Sequence, residues 1–261
     1  MTQARPAPLD IKLMNITASV LFVAFALLVA GSLVRWVSRQ PVFAIGGIAV
    51  TGDVTHSNAA TLRANVAPRL GGTFFTLDLA QARAAFESVP WVRQAVVKRS
   101  FPNHLKVALQ EHQAVAYWGV EGDAMLVNSY GEVFEANSGE IEQEDLPRLS
   151  GPDGQALAVW EMYKTLQPAY ASMDMVLEQL ELTARGGWRA RFDSGAEVEL
   201  GRGSNDEVLA RSRRFLKTVT QVTARYERTP DALETADLRY EEGYAIRLRG
   251  VTTGAADVQK K

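Results

Sequence analysis

The chain has 261 residues, with 28 Lys and Arg against 30 Asp and Glu, a formal net charge of −2 and no cysteine. A near-neutral balance offers no surface of the kind that neutralises a phosphate backbone, so nucleic acid is not an expected partner. The lack of cysteine excludes disulfides and thiolate metal sites, and fits an exported domain or a cytosolic one alike.

The first element is an uncharged apolar run from Leu13 to Val34. At about 1.5 Å per helical residue it reaches roughly 33 Å, enough to cross a hydrocarbon core of about 30 Å. A cleaved signal peptide has a shorter apolar core and small residues at its exit, whereas Leu28-Val29-Ala30 puts Leu where a small residue is wanted. A helix buried in a soluble core would carry charge on one face. The run is therefore expected to be a retained anchor, with residues 1–12 as a tail and 13–34 in the membrane. Arg5 and Lys12 before it nearly balance Arg35 and Arg39 after it, so charge bias leaves the orientation open. Trp36 and the two arginines read as an interfacial belt.

Beyond Pro41, Phe43 to Thr51 reads as a strand closed by Gly52-Asp53. Ser57 or Asn58 can cap a helix through Ala67, which Gly71-Gly72 breaks. Thr76 to Asp78 precedes a second helix, Leu79 to Ser88, with Leu79, Ala82 and Phe86 at helical spacing before Pro90. The period then changes to two, in Val92 to Arg99 and in Leu105 to Gln110, across the turn Phe101-Pro102-Asn103. Over 43–112 the order is strand, helix, helix, strand, strand. Neither helix can bury its apolar face alone, so both belong on one side of a three-stranded sheet.

From 113 to 250 a second domain is expected. It begins with a strand at Val115 to Trp118, a hairpin from Met125 to Phe134 over Asn128 to Gly131, and a carboxylate-rich loop from Glu135 to Arg148. A helix from Gln155 to Leu166 should stop before Pro168. Leu177 to Thr183 pairs with Trp188 to Phe192, which continues across Asp193-Ser194-Gly195 to Glu197 to Leu200. The helix Asn205 to Arg225 is the most amphipathic: Val208, Ser212, Phe215, Val219, Val222 and Tyr226 share a face, with Arg211, Arg214, Lys217 and Arg225 away from it. The last strands are Glu234 to Tyr240 and Tyr244 to Leu248. The fold class is α+β: one transmembrane helix, a βααββ domain, and a mixed or antiparallel β domain with two helices. The polar ends, the second of them 251–261, are expected to be disordered.

No pattern points to chemistry. The three histidines are scattered; His56 lies in a polar turn, His104 and His112 bracket a strand, and all three read as solvated surface residues. Gly201-Arg202-Gly203 before a helix lacks the rest of a phosphate-binding loop. Glu140 to Asp145 lacks the ligand spacing of a calcium loop. No catalytic cluster, metal, cofactor or small-molecule substrate is expected. What remains is binding by shape, because the last strand of an open sheet tends to leave N–H and C=O groups to which another chain can add. Tyr240 and Tyr244 would supply apolar area there and Gly243 close approach. From the residues alone, the plainer reading makes both tyrosines sheet packing.

Several stretches together resemble the FtsQ/DivIB family of bacterial cell-division proteins. In the first domain they are Gly72-Thr-Phe-Phe-Thr-Leu-Asp78, Val89-Pro-Trp-Val-Arg-Gln-Ala-Val-Val-Lys-Arg99 and Phe101-Pro-Asn-His-Leu-Lys-Val107. In the second they are Thr183-Ala-Arg-Gly-Gly-Trp188, Leu200-Gly-Arg-Gly203 and Asp237-Leu-Arg-Tyr-Glu-Glu-Gly-Tyr-Ala245. The resemblance spans nearly the whole chain. It implies a non-enzymatic divisome scaffold of the inner membrane, with its amino terminus in the cytoplasm and a POTRA domain and β domain in the periplasm. It implies that a C-terminal β edge holds FtsB, with FtsL alongside. Carried over by motif, that edge falls on Tyr240, Glu242 and Gly243, with Arg239 and Tyr244 as neighbours. The family's arginine pair before Ser-Trp corresponds to Arg185-Gly186-Gly187-Trp188, where one arginine remains; Arg213, Arg214 and Lys217 could supply charge nearby. Gln94, Val97 and Arg99 match positions tied to recruitment to the division site. Two rivals remain: a POTRA-bearing component handing chains to an outer-membrane machine, which expects tandem modules and many more strands, and a cell-wall hydrolase, which needs a catalytic cluster.

Overall fold

The computed structural model describes residues 9–136 and 146–251; the end segments 1–8 and 252–261, and the acidic stretch that includes Glu140 to Asp145, lie outside the described residues. The chain divides into two units, Met1–Glu111 and His112–Lys261.

The first unit opens with helix α1 (Leu9–Ser38), whose most apolar window has a mean hydropathy of 2.4 and 0% burial inside the protein. A helix apolar on every side with no protein packed against it matches lipid, not a soluble core. Residues Pro41–Phe43 then form a 3₁₀ turn, closed by Ala44 N–H donating to the Pro41 carbonyl at 2.9 Å. This corrects the strand expected from Phe43. Proline suits the first turn of a helix, where its missing N–H has no partner to lose, so strand β1 (Gly47–Gly52) starts later.

Helix α2 (Ala59–Val66) is capped by Asn58, whose Oδ1 accepts from Thr61 N–H at 2.8 Å. Helix α3 (Leu79–Glu87) is capped by Asp78, which accepts from Ala80 and Gln81. Strands β2 (Val92–Ser100) and β3 (His104–Glu111) pair antiparallel, and β1 joins β3 in parallel, giving the order β1-β3-β2. Leu62, Val66, Ala85 and Phe86 pack on Ala95, Val107 and Leu109, so both helices cover one face. A register shift between Val92 and Gln94 sets Ala95 and Val97 inward and leaves Val96 exposed. The loop before α2 is held by Glu111, only 6% exposed, which accepts from the backbone N–H groups of Thr55 (3.0 Å), His56 (3.0 Å) and Ser57 (2.7 Å).

The second unit is built on a nine-stranded sheet. Its strands are β4 (Ala114–Trp118), β5 (Met125–Asn128), β6 (Val133–Glu135), β7 (Arg148–Ser150), β8 (Leu177–Leu182), β9 (Gly187–Phe192), β10 (Glu197–Arg202), β11 (Leu233–Asp237) and β12 (Ala245–Leu248). Their order is β12-β11-β10-β9-β8-β7-β4-β5-β6, with parallel pairing at β10/β11, β7/β8 and β4/β7. Helices α4 (Ala156–Ala171) and α5 (Asn205–Ala224) pack together, α4 against β7 and β8 and α5 against β10. Their buried side chains (Met162, Leu166, Tyr170, Phe215, Val219) join Phe192, Val198 and Leu200 in one core.

Two helix expectations are corrected here. Helix α4 does not stop before Pro168 but runs to Ala171. An interior proline costs about 3 kcal/mol. Complete burial of Leu166 and Tyr170 on either side offsets that cost, and the Tyr170 hydroxyl donates to Ser212 Oγ of α5 at 3.1 Å. Burial outweighs that hydrogen bond and pushes the Tyr170 phenol well above its usual range, so it stays protonated. On α5 the buried stripe is Val208, Ser212, Phe215, Leu216, Val219 and Thr223; Tyr226, expected on that face, is exposed beyond the helix end.

Candidate functional site

Strand β11 stops at Asp237 and β12 begins at Ala245, so Arg239, Tyr240, Glu242, Gly243 and Tyr244 lie in the connection between them. The expected strands Glu234 to Tyr240 and Tyr244 to Leu248 are too long. Local hydrogen bonds take the place of the ladder. Leu238 N–H still donates to Glu199 of β10 at 2.8 Å. Then Asp237 Oδ1 accepts from the Arg239 backbone N–H (3.0 Å) and Nε (2.8 Å), and Oδ2 from Nη2 (2.6 Å). The Arg239 hydrogen bonds hold the Asp237 carboxyl below its usual range and raise the guanidinium in turn.

The rest of the loop is pinned from α5. Arg214 donates to the Glu241 carbonyl. The Tyr244 hydroxyl lies 2.7 Å from Thr218 Oγ1, and its ring stands edge-on to Phe215 at 5.0 Å. Tyr240 differs from Tyr244, being 58% exposed. A Cβ placed on Gly243 would meet nothing within 4 Å. Among the described residues β12 pairs with β11 alone, through Asp237↔Ala245, Ala236↔Ile246, Thr235↔Arg247 and Leu233↔Leu248, so its outer edge is open.

Of the other expected site residues, Arg185 sits exposed in the turn between β8 and β9. That turn is at the same end of the sheet, because Trp188 pairs with Gly201 and Arg239 Cγ lies 3.1 Å from where a Gly201 Cβ would stand. Lys217 lines a groove between α4 and α5 with Arg213, Thr165 and Pro168, and is not on the loop. In the first unit Gln94 is exposed, whereas Val97 packs against the core and Arg99 donates to the carbonyls of Phe74 (2.6 Å) and Leu77. Sequence reasoning missed three supports. Arg211, expected to point away, donates to the carbonyls of Leu200 (3.0 Å) and Arg202; Asp237 and Thr218 hold Arg239 and Tyr244. Only the spacing of Asp237 and Arg239 hinted at such a pair.

Two histidines are not the solvated residues expected. His56 stacks on Trp91 at 4.0 Å and lies 3.4 Å from Glu111, and His112 stacks on Phe134 at 4.1 Å. Their aromatic partners, Trp91 just before β2 and Phe134 on β6, are distant in the chain, and spacing does not reveal them. Gly203 leads into the Ser204 cap of α5, reinforced by a capping box with Glu207. Among the described residues no group of three His, Asp or Glu could hold a metal ion.

Comparison with known proteins gives these features a family. The model for the POTRA domain, FtsQ-type, matches residues 43–112, and that for cell division protein FtsQ/DivIB, C-terminal, matches 116–239. The chain belongs to the FtsQ/DivIB family. The cell division protein FtsQ of Burkholderia pseudomallei (strain K96243) is 39% identical over 243 residues, 93% of this chain and 94% of its own. That of Thiomonas arsenitoxydans is 39% identical over 252 residues, covering 95% and 90%, and that of Bordetella pertussis 37% over 256, covering 91% and 90%. Membership in the FtsQ/DivIB family makes the chain a non-enzymatic, single-pass membrane protein of bacterial cell division that acts through protein contacts. The FtsQ/DivIB model over the second unit also sets aside the transport reading.

Proposed function

We propose that the chain is an inner-membrane scaffold of the divisome, and that β12 takes up a strand of FtsB with FtsL alongside. In this reading 1–12 lie in the cytoplasm, 13–34 cross the membrane, and a βααββ POTRA domain (43–112) and a β domain (113–250) occupy the periplasm of a Gram-negative cell. The carrying observation is the open edge of β12, entered from a loop whose Tyr240 is exposed and whose Gly243 is unobstructed. Backbone bonds to an added strand give affinity, and side chains at alternate positions give choice. Tyr240 supplies the aromatic anchor, Glu242 and Gly243 line the approach, and Arg239 and Arg214 hold the loop in place. Tyr244 acts from beneath, because its hydroxyl and ring are already engaged with α5. Arg185 and Lys217 would contribute charge at longer range. In the POTRA domain, recruitment falls to the exposed Gln94 side of β2, with Val97 and Arg99 keeping that strand in place.

Tyr240→Ala in the full chain, reconstituted in nanodiscs, should abolish capture of FtsB while unfolding at the same temperature as the parent. Undiminished capture by the folded variant would remove Tyr240 from the site. A fluorescent fusion of the full chain should gather at midcell; a uniform envelope signal would count against the division role.

A further inference from the structure

Outside α1 the first unit exposes six large apolar side chains among the described residues; Ile48, Val54 and Val96 lie on or just after its strands, and the other three gather at one end. Val42 is 81% exposed, Phe101 84% and Phe75 50%. They belong to three separate segments, yet hydrogen bonds bring all three to the end of the unit where α1 leaves it. The Thr73 hydroxyl donates to the Ser38 carbonyl at the last residue of α1. Phe74 N–H donates to Phe43 at 2.8 Å, next to Val42, and the Phe43 and Phe75 rings meet edge-on at 5.0 Å. Arg99 of β2 bonds the carbonyls of Phe74 and Leu77, and Gly46 N–H donates to Asn103 at 2.8 Å, which fixes the turn carrying Phe101.

Ser38 lies only four residues past Val34, roughly 6 Å along a helix, so whatever touches Ser38 sits at the headgroup level of a spanned bilayer. Val42, Phe75 and Phe101 therefore lie on segments tied to the end of the unit nearest the apolar run. The same end is rich in cations: Arg35 and Arg39 follow the apolar run, and exposed Lys98 and Lys106 face each other across β2 and β3. The nearby carboxylate, Asp78, is occupied in capping α3. Apolar tips ringed by basic side chains are the pattern of a surface that lies on lipid with anionic headgroups.

We propose that this end of the first unit rests on the bilayer, with Val42, Phe75 and Phe101 dipping into the headgroup region and the cations meeting lipid phosphates. The domain is then held flat at the membrane instead of swinging from α1 on residues 39–46. The proposal uses α1 as a span and is independent of what binds β12.

The absence of cysteine makes a direct test simple. Val42→Cys, Phe75→Cys and Phe101→Cys, each in the full chain, are spin-labelled in vesicles of phosphatidylethanolamine and phosphatidylglycerol. Val120→Cys, at an exposed apolar position of the second unit, is the control. Labels at all three positions should collide more with oxygen and less with an aqueous nickel chelate than the control. Exchanging phosphatidylglycerol for phosphatidylcholine should make them shallower. Labels at 75 and 101 as water-accessible as that at 120 would overturn the proposal, as would immersion of the label at 42 alone. If Phe75→Cys disturbs the Phe43 contact, Phe101→Cys, at a more exposed position, still decides it.

Discussion

The two units differ in how much core they bury, and so in how much of their hold falls to charged side chains. In the first, with three strands and two short helices, charge is spent on holding loops: Glu111 serves three backbone N–H groups, and Arg99 serves two carbonyls. In the second, nine strands and two long helices bury a core from Ala116 to Leu248, and charges such as Arg189 lie across the sheet surface, 2.7 Å from Glu199 and 3.1 Å from Glu181. A small domain buries a lower fraction of its surface and needs polar staples. The larger core needs such staples mainly around the β11–β12 loop, where Arg211, Arg214 and Asp237 supply them, and it leaves the outer edge of β12 open.

The strongest way to break this contrast is to remove apolar mass from the smaller core. Phe86→Ala should cost about 3–5 kcal/mol and unfold the first unit while the second survives. Hydrogen exchange read unit by unit would show it; simultaneous loss of protection in β9 would mean that the units do not fold separately.

Next comes the staple. Burial pushes the Glu111 carboxyl up, but the hydrogen bonds from His56 and Ser57 outweigh it and hold it below its ordinary 4.5. A carboxyl lowered by folding stabilises in full above its unfolded value, and that contribution fades as pH falls through the folded one. Glu111→Gln should therefore cost about 1–3 kcal/mol at neutral pH. It should also flatten the acid limb of thermal unfolding, seen through Trp91 fluorescence; an unchanged limb would remove Glu111 as its source.

Smaller effects belong to the loop. Tyr244→Phe removes the hydroxyl bonded to Thr218 and keeps the ring on Phe215, so the second unit should lose about 0.5–1.5 kcal/mol in urea unfolding. Gly243→Ala should change stability by less than about 0.5 kcal/mol, because nothing in the fold opposes its methyl group. The same substitution should weaken FtsB capture; full capture would leave Gly243 without a role at the edge.

How far the residues alone could be read follows from how local each signal is. Asn58, Asp78 and Ser204 cap their helices with side chains that reach two or three residues along the chain, and all three helix starts were legible. Pro168 misled because its local penalty is overridden by burial of Leu166 and Tyr170, a tertiary effect. Leu238 to Tyr240 and Tyr244 read as strand ends because their aromatic and alternating residues suit a strand. What ends β11 is a side chain, Asp237, folding back on Arg239, and what holds Tyr244 is Thr218, far away in the chain. The parallel joins β4/β7, β7/β8 and β10/β11 rest on two or three residue pairs each, too little for any periodicity to announce.

The parallel join of β11 to β10 also has a consequence in time. The hairpin of β11 and β12 follows, in chain order, every strand on which it leans, and it is attached through Glu197↔Thr235, Val198↔Ala236 and Glu199↔Asp237. A chain still emerging during synthesis has the anchor and the first unit but no β12. It can reach the membrane before the β12 edge exists, so on the proposed reading a partner strand would find its place only on molecules whose translation has passed β12.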